Sequence, residues 1–184
     1  MQPIHRNRLR SPGLLSPGMV SPTLWLLTAG LVAATLDILY ATGFWALRGV
    51  DPTRVWQSIA AGLLGKASFS GGADTATLGL ALHYLIALAM AAAYFIAARR
   101  LPKLWQQPWR YGALYGLLLY AVMNLIVVPL SAAPGGGAKP MLWVVLSLLA
   151  HVLLVGLPIA WCARRAYGLS APLSARRRPV PSVR

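Results

Sequence analysis

Four long apolar stretches run through this chain, over residues 24–47, 76–98, 111–130 and 141–163, and each carries a strongly polar residue near its middle. A helix crossing a bilayer needs about 20 mostly apolar residues, and all four stretches meet that length. Inside hydrocarbon every backbone N–H and C=O must be satisfied within the segment or by a closed barrel. The stretches lack the alternation of a barrel strand, so they read as helices. The expected fold class is all-α: a polytopic membrane protein with four transmembrane helices in a bundle, plus a short interfacial helix in the first periplasmic loop. Composition agrees. Apolar residues make up 58% of the chain and charged residues 11%, and the only carboxylates are Asp37, Asp51 and Asp74. So few charges could not cover a soluble domain of this size, for which about 25% is usual.

The first stretch follows Arg6, Arg8 and Arg10, as a signal peptide would. It is longer than a signal core and contains Asp37, so it is expected to be retained as a span. Lys and Arg distribute unevenly between the two sides. The N-terminal segment, the second loop (Arg99, Arg100, Lys103, Arg110) and the C-terminal segment hold thirteen, against four (Arg48, Arg54, Lys66, Lys139) in the first and third loops. The positive-inside rule then puts both termini in the cytoplasm. Trp25, Trp45, Trp105, Trp109, Trp143 and Trp161 fall near span ends, where amphipathic rings anchor at the interface. Residues 1–23 and 164–184 are rich in Pro, Ser and Arg and are expected to be disordered. Arg176, Arg177 and Arg178 could attract anionic lipid headgroups. The net charge of +14 lies between and beyond the spans, and no nucleic-acid motif accompanies it, so nucleic acid is not an expected partner. The single cysteine, Cys162, permits no internal disulfide.

The first loop contains its own helix signal over about 52–65. Asp51 can cap it and Pro52 suits the first turn. Val55, Trp56, Ile59, Leu63 and Leu64 recur at helical spacing, with Arg54, Gln57 and Ser58 on other faces. This helix either lies in the outer interface or packs on the bundle mouth. Ser70-Gly71-Gly72 marks a turn, after which Asp74 or Thr75 can cap the second span. The glycine-rich segment 131–140 lacks the Lys-Ser/Thr of a phosphate cradle and reads as a plain turn. In the fourth span, Pro158 leaves a carbonyl one turn earlier unpaired and with Gly156 makes a kink.

The central polar residues are Asp37, His83, Asn124 and His151. At 1.5 Å per residue each lies within about 6 Å of its span's midpoint, so the four form one layer slightly toward the outer side. Small residues mark the packing faces of membrane helices. Gly30, Ala34 and Ala41 share a face with Asp37; Gly79, Ala87 and Ala91 with His83; Gly112, Gly116 and Tyr120 with Asn124; and Ser147 with His151. All four polar residues are therefore expected to face the bundle interior. Such a layer can be interhelical glue or a relay for protons or ions, with His83 exchanging protons and Asp37 as its partner. Asp37 is the residue least explained by glue: either burial keeps it neutral, or it ionises beside an imidazolium or in a wet cavity. Haem between the histidines, or a His-His-Asp metal site, lacks any closely spaced ligand motif, so no cofactor or metal is expected. The Ser147 and His151 pair does not make a triad, and the chain reads as non-enzymatic. The three functional readings are a membrane protein with a structural polar layer, a small proton-coupled or ion-conducting protein, and an accessory subunit of a larger membrane complex. The last two bring in a second copy or another membrane protein as partner.

Several pieces, in order, resemble a group of uncharacterised bacterial four-span inner-membrane proteins that are distantly like the YagU type. They are Leu36-Asp37-Ile38, the Gln57–Gly65 segment QSIAAGLLG, Phe69-Ser-Gly-Gly72, Gly79-Leu-Ala-Leu-His83, Met123-Asn124 with Val128-Pro-Leu-Ser131, and Gly156-Leu-Pro-Ile159. The resemblance runs from about Gly30 to Ala160. It implies four spans and a bacterial inner membrane, and it implies no activity.

Overall fold

A computed structural model describes residues 21–135 and 139–168. The expected disorder of residues 1–20 and 169–184, and the lipid contacts of Arg176, Arg177 and Arg178, lie outside the described residues. Among the described residues all regular structure is helical.

Four helices are long and apolar enough to cross a membrane: α1 (Pro22–Ala46), α3 (Gly72–Arg100), α5 (Pro108–Leu130) and α6 (Met141–Gly168). Between them lie α2 (Pro52–Leu64) and the single turn α4 (Lys103–Gln106). Helices α1, α3 and α5 begin a few residues before their apolar stretches, and α6 begins with its stretch at Met141. Ser21 accepts from the Leu24 amide, and Pro22 opens α1. Helix α3 starts at Gly72, so Asp74 sits in its first turn instead of capping it, a position the helix dipole favours. The backbone of Gly72 has φ of +56°, which only glycine adopts without strain. Residues 164–168 are helical instead of disordered. Ala166 is buried, and the Tyr167 hydroxyl donates to the Phe95 carbonyl at 3.1 Å, so tertiary contacts extend α6 past its apolar stretch.

In the most apolar window of each long helix only 11% to 28% of residues are buried, so most of the apolar surface faces outward. Leu39, Leu85, Ile96, Leu114, Leu125 and Leu153 are each more than half exposed. That outer surface matches hydrocarbon and would be a liability in water. The inside is built from small residues. Ala29, Ala33, Ala91, Ala98, Ala160 and Ala163 are wholly buried around Tyr94, Phe95, Leu119 and Ile159. Backbones therefore approach closely, which is how membrane helices gain packing without a hydrophobic driving force. Helix α1 packs between α3 and α6, and α5 packs on the other side of α6. The α5–α6 seam runs through glycines: a Cβ on Gly156 would strike the Gly112 carbonyl oxygen, and one on Gly116 the His151 carbonyl oxygen. Helices α3 and α5 share no such seam. They meet where the Tyr115 hydroxyl donates to the Met90 carbonyl at 2.7 Å and its ring rests on Tyr94.

Aromatic clusters mark both ends. Tyr40, Phe44, Trp45 and Trp143 join α1 to α6 at one end, with the Arg48 guanidinium 3.7 Å over the Phe44 ring. At the other end Trp109 meets Trp161 edge-on at 5.4 Å.

Helix α2 packs on the bundle mouth. A Cβ on Gly79 would strike the Trp56 carbonyl oxygen, so α2 crosses α3 in backbone contact there. Its buried face is Val55, Gln57, Ala60 and Ala61, while Leu63 and Leu64 are exposed. Gln57 therefore does not lie on an outer polar face. It is 3% exposed and donates to the Gly72 carbonyl at 3.0 Å and the Thr75 hydroxyl at 3.3 Å. Buried Ser68 donates to the Gln57 carbonyl at 3.0 Å, and Thr75 to the Ser68 carbonyl at 2.6 Å. Periodicity treats glutamine as polar and outward, but a glutamine whose groups are all satisfied can be buried at little cost. On other sides Trp56 Nε1 donates to Thr42 of α1, and the Ala132 amide to the Gly62 carbonyl.

Candidate functional site

A partly open cavity of about 120 Å³ lies inside the bundle, lined by Asp37 of α1, His83 of α3 and His151 of α6, with an otherwise apolar wall. Ala33 and Ala34 of α1, Ile86, Ala87 and Met90 of α3, Met123 of α5 and Val155 of α6 complete its sides. Ile59 of α2 closes one end, one helical turn beyond His83 where α2 crosses Gly79. Three of the four polar residues expected to face inward thus share one space. Their helical phase works because Ala33, Ala34 and Ala87 on the same faces are buried and let the helices approach.

The nearest pair is Asp37 Oδ2 and His83 Nε2, 4.0 Å apart, with side chains 21% and 16% exposed. His83 Nε2 also lies 3.0 Å from the Ala34 carbonyl. A carbonyl only accepts, so Nε2 carries a hydrogen and, in the neutral ring, Nδ1 carries the lone pair. His151 is held in the opposite tautomer: its Nδ1 donates to the Ser147 carbonyl at 2.9 Å. The Tyr120 ring meets it edge-on at 5.4 Å. Each histidine is therefore oriented by a backbone acceptor, with one ring nitrogen left to act as an acceptor or take a proton.

Asn124 does not line the cavity. Its Nδ2 donates to the Tyr120 carbonyl at 2.9 Å, and its Oδ1 accepts from Lys139 Nζ at 2.9 Å. It sits in a widened π turn, Met123–Val127, just ahead of Pro129. An extra residue in a turn rotates the following face by about 100°, so a regular-helix projection misplaces this region. A second π turn, His151–Gly156, precedes Pro158 in α6. In both, the polar residue bonds through its side chain to the carbonyl four residues earlier, and in both the proline ring would crowd a carbonyl within the turn. Only the Pro158 disturbance was legible as a local signal.

Ser147 is buried, but its hydroxyl lies 3.4 Å from the Tyr40 hydroxyl while His151 bonds the Ser147 backbone. The two side chains thus form no nucleophile–base hydrogen bond. Among the described residues no three His, Cys, Asp or Glu side chains are close enough to hold a metal ion. Ile59 is a wall residue that sequence reasoning did not name as part of the site. The helical spacing put it on the apolar face of α2 but left open whether that face meets the interface or the bundle mouth. No protein-family model, curated protein or solved structure matches this chain.

Proposed function

We propose that this is a non-enzymatic, multi-pass protein of a bacterial inner membrane that binds and hands on protons inside its helix bundle. Asp37 and His83 are the exchanging pair, and His151 is a second acceptor on the same wall. The observation that carries this reading is the meeting of an intramembrane carboxylate with two imidazoles on one cavity. Ionisable groups within spans are costly, and they recur where protons or ions move. A small side-chain rotation closes the 4.0 Å gap to hydrogen-bond distance, so that His83, once it has taken a proton at Nδ1, can give its Nε2 hydrogen to the Asp37 carboxylate. The excess of Lys and Arg on the segments holding the termini supports a cytoplasmic location for both, which puts the α2 roof on the periplasmic side. The resemblance to YagU-type proteins supports the inner membrane.

The test is proton flux. Purified protein is reconstituted in liposomes with a trapped pH-sensitive dye and an imposed proton gradient. Flux above the lipid leak is expected for the natural chain, and Asp37→Asn is expected to return it to the leak with helix content unchanged by circular dichroism. Equal flux in both proteins would sink the relay and leave the polar layer as interhelical glue.

A further inference from the structure

The cavity holds one carboxylate and two imidazoles in an otherwise apolar wall. His83 and His151 each spend their ring hydrogen on a backbone carbonyl, Ala34 and Ser147. Among the described residues none donates a hydrogen bond to Asp37, and its ion-pair contact with His83 is 4.0 Å long. Every fully enclosed side-chain N or O among the described residues has a partner, so the Asp37 oxygens border open space. The complement of such a site is a positively charged hydrogen-bond donor. It is not a bare ion, because Asp37, His83 and His151 line the same cavity without converging to metal-bonding distance. A primary ammonium presents three diverging N–H donors and can address separated acceptors. The remaining wall is apolar, from Ala33, Ile59, Ile86, Met90, Met123 and Val155, and suits an alkyl body. At about 120 Å³ the space is somewhat smaller than the roughly 150 Å³ of an engineered cavity that takes benzene. Ile86 and Met90 of α3 face Met123 of α5 across the gap where those helices lack a packing seam, which leaves an apolar side to the cavity.

We propose that this cavity binds a small protonated primary amine with a short alkyl chain, its ammonium donating to Asp37. The proposal rests on the proton-exchange reading for its coupling, and not for the binding itself. The ammonium and a proton compete for one carboxylate. When R–NH3⁺ meets a protonated Asp37, the carboxyl O–H breaks, a proton leaves, and the ammonium–carboxylate pair remains. The titratable groups around Asp37 are Tyr40 on its own helix, His83 and Tyr84 on α3, His151 on α6 and, against His151, Tyr120 on α5; α2 gives only Ile59 to the wall.

The probe is n-butylammonium, titrated calorimetrically into the full chain in detergent micelles, with n-butanol as the neutral analogue of the same size. Binding of the ammonium and not of the alcohol is expected. Asp37→Asn is expected to weaken binding by about tenfold or more, the loss of one charge-assisted hydrogen bond. Ala87→Leu, which fills the cavity and leaves Asp37 in place, is expected to weaken it similarly, with unchanged helix content. Equal binding of alcohol and ammonium, or an Ala87→Leu protein that binds as the natural chain does, would overturn the proposal. So would an intact Asp37→Asn protein of natural affinity. Asp37-dependent proton flux without ammonium binding removes the amine and keeps the relay; ammonium binding without Asp37-dependent flux keeps the amine site and removes the relay.

Discussion

Asp37, His83 and His151 show how little a polar residue in a span reveals by type alone. Two are oriented by backbone carbonyls of their own or a neighbouring helix, and the third borders open space. Asn124, equally central in sequence, spends both ends of its amide on Tyr120 and Lys139. Asn124→Leu is therefore expected to leave proton flux within about twofold of the natural protein and stability within about 1 kcal/mol, read by the same liposome assay and by thermal melting in detergent. Failure would mean that the α5 π turn, and not the cavity alone, carries the activity. At the opposite extreme of exposure, Asp51 caps α2 through a 2.7 Å bond from the Thr53 amide. That bond holds its carboxyl below the ordinary carboxylate value. A depressed value means the cap is present at neutral pH and is lost as pH falls through the folded-state value. The first turn of α2 is expected to fray there, seen as faster amide exchange at Thr53 once intrinsic pH effects are removed.

Helices in this protein meet through backbone, and glycines set where. On α3, Gly79 meets the Trp56 carbonyl; on the α5–α6 seam, Gly156 meets the Gly112 carbonyl and Gly116 amide. Neither contact has a flexible side chain that can yield. Gly79→Leu and Gly156→Leu are each expected to cost about 1–3 kcal/mol or more and to lower the melting temperature in detergent. They should differ in consequence. Gly79→Leu lifts α2 off the cavity and exposes a cysteine placed at Ile59 to a water-soluble maleimide, while Gly156→Leu splays α5 from α6 and leaves that position protected. Gln57→Leu probes the same roof from its polar side. It removes donors to Gly72 and Thr75, with an expected loss of about 1–3 kcal/mol and faster hydrogen exchange confined to α2 and the start of α3.

Across the whole molecule, apolar residues face out, small residues face in, and one cavity sits beneath a helix that does not cross. The four spanning helices, their approximate limits and the small-residue faces of α1, α3 and α5 were all legible in the chain. Length and hydropathy are local quantities, and bilayer thickness turns them directly into helices. The inward phase of Asp37, His83 and His151 was legible for a related reason: in an uninterrupted helix, spacing along the chain is angle around the axis. That rule failed at Asn124, where the π turn before Pro129 departs from the regular repeat. It also failed for α2, whose glutamine reads as outward until Gly72, Thr75 and Ser68 are placed around it. Which residues share a cavity, whether α2 lies on the membrane or seals the bundle, and which ring nitrogens keep their lone pairs depend on backbone groups of other helices. Those partners are distant in sequence, so only the tertiary structure could decide them.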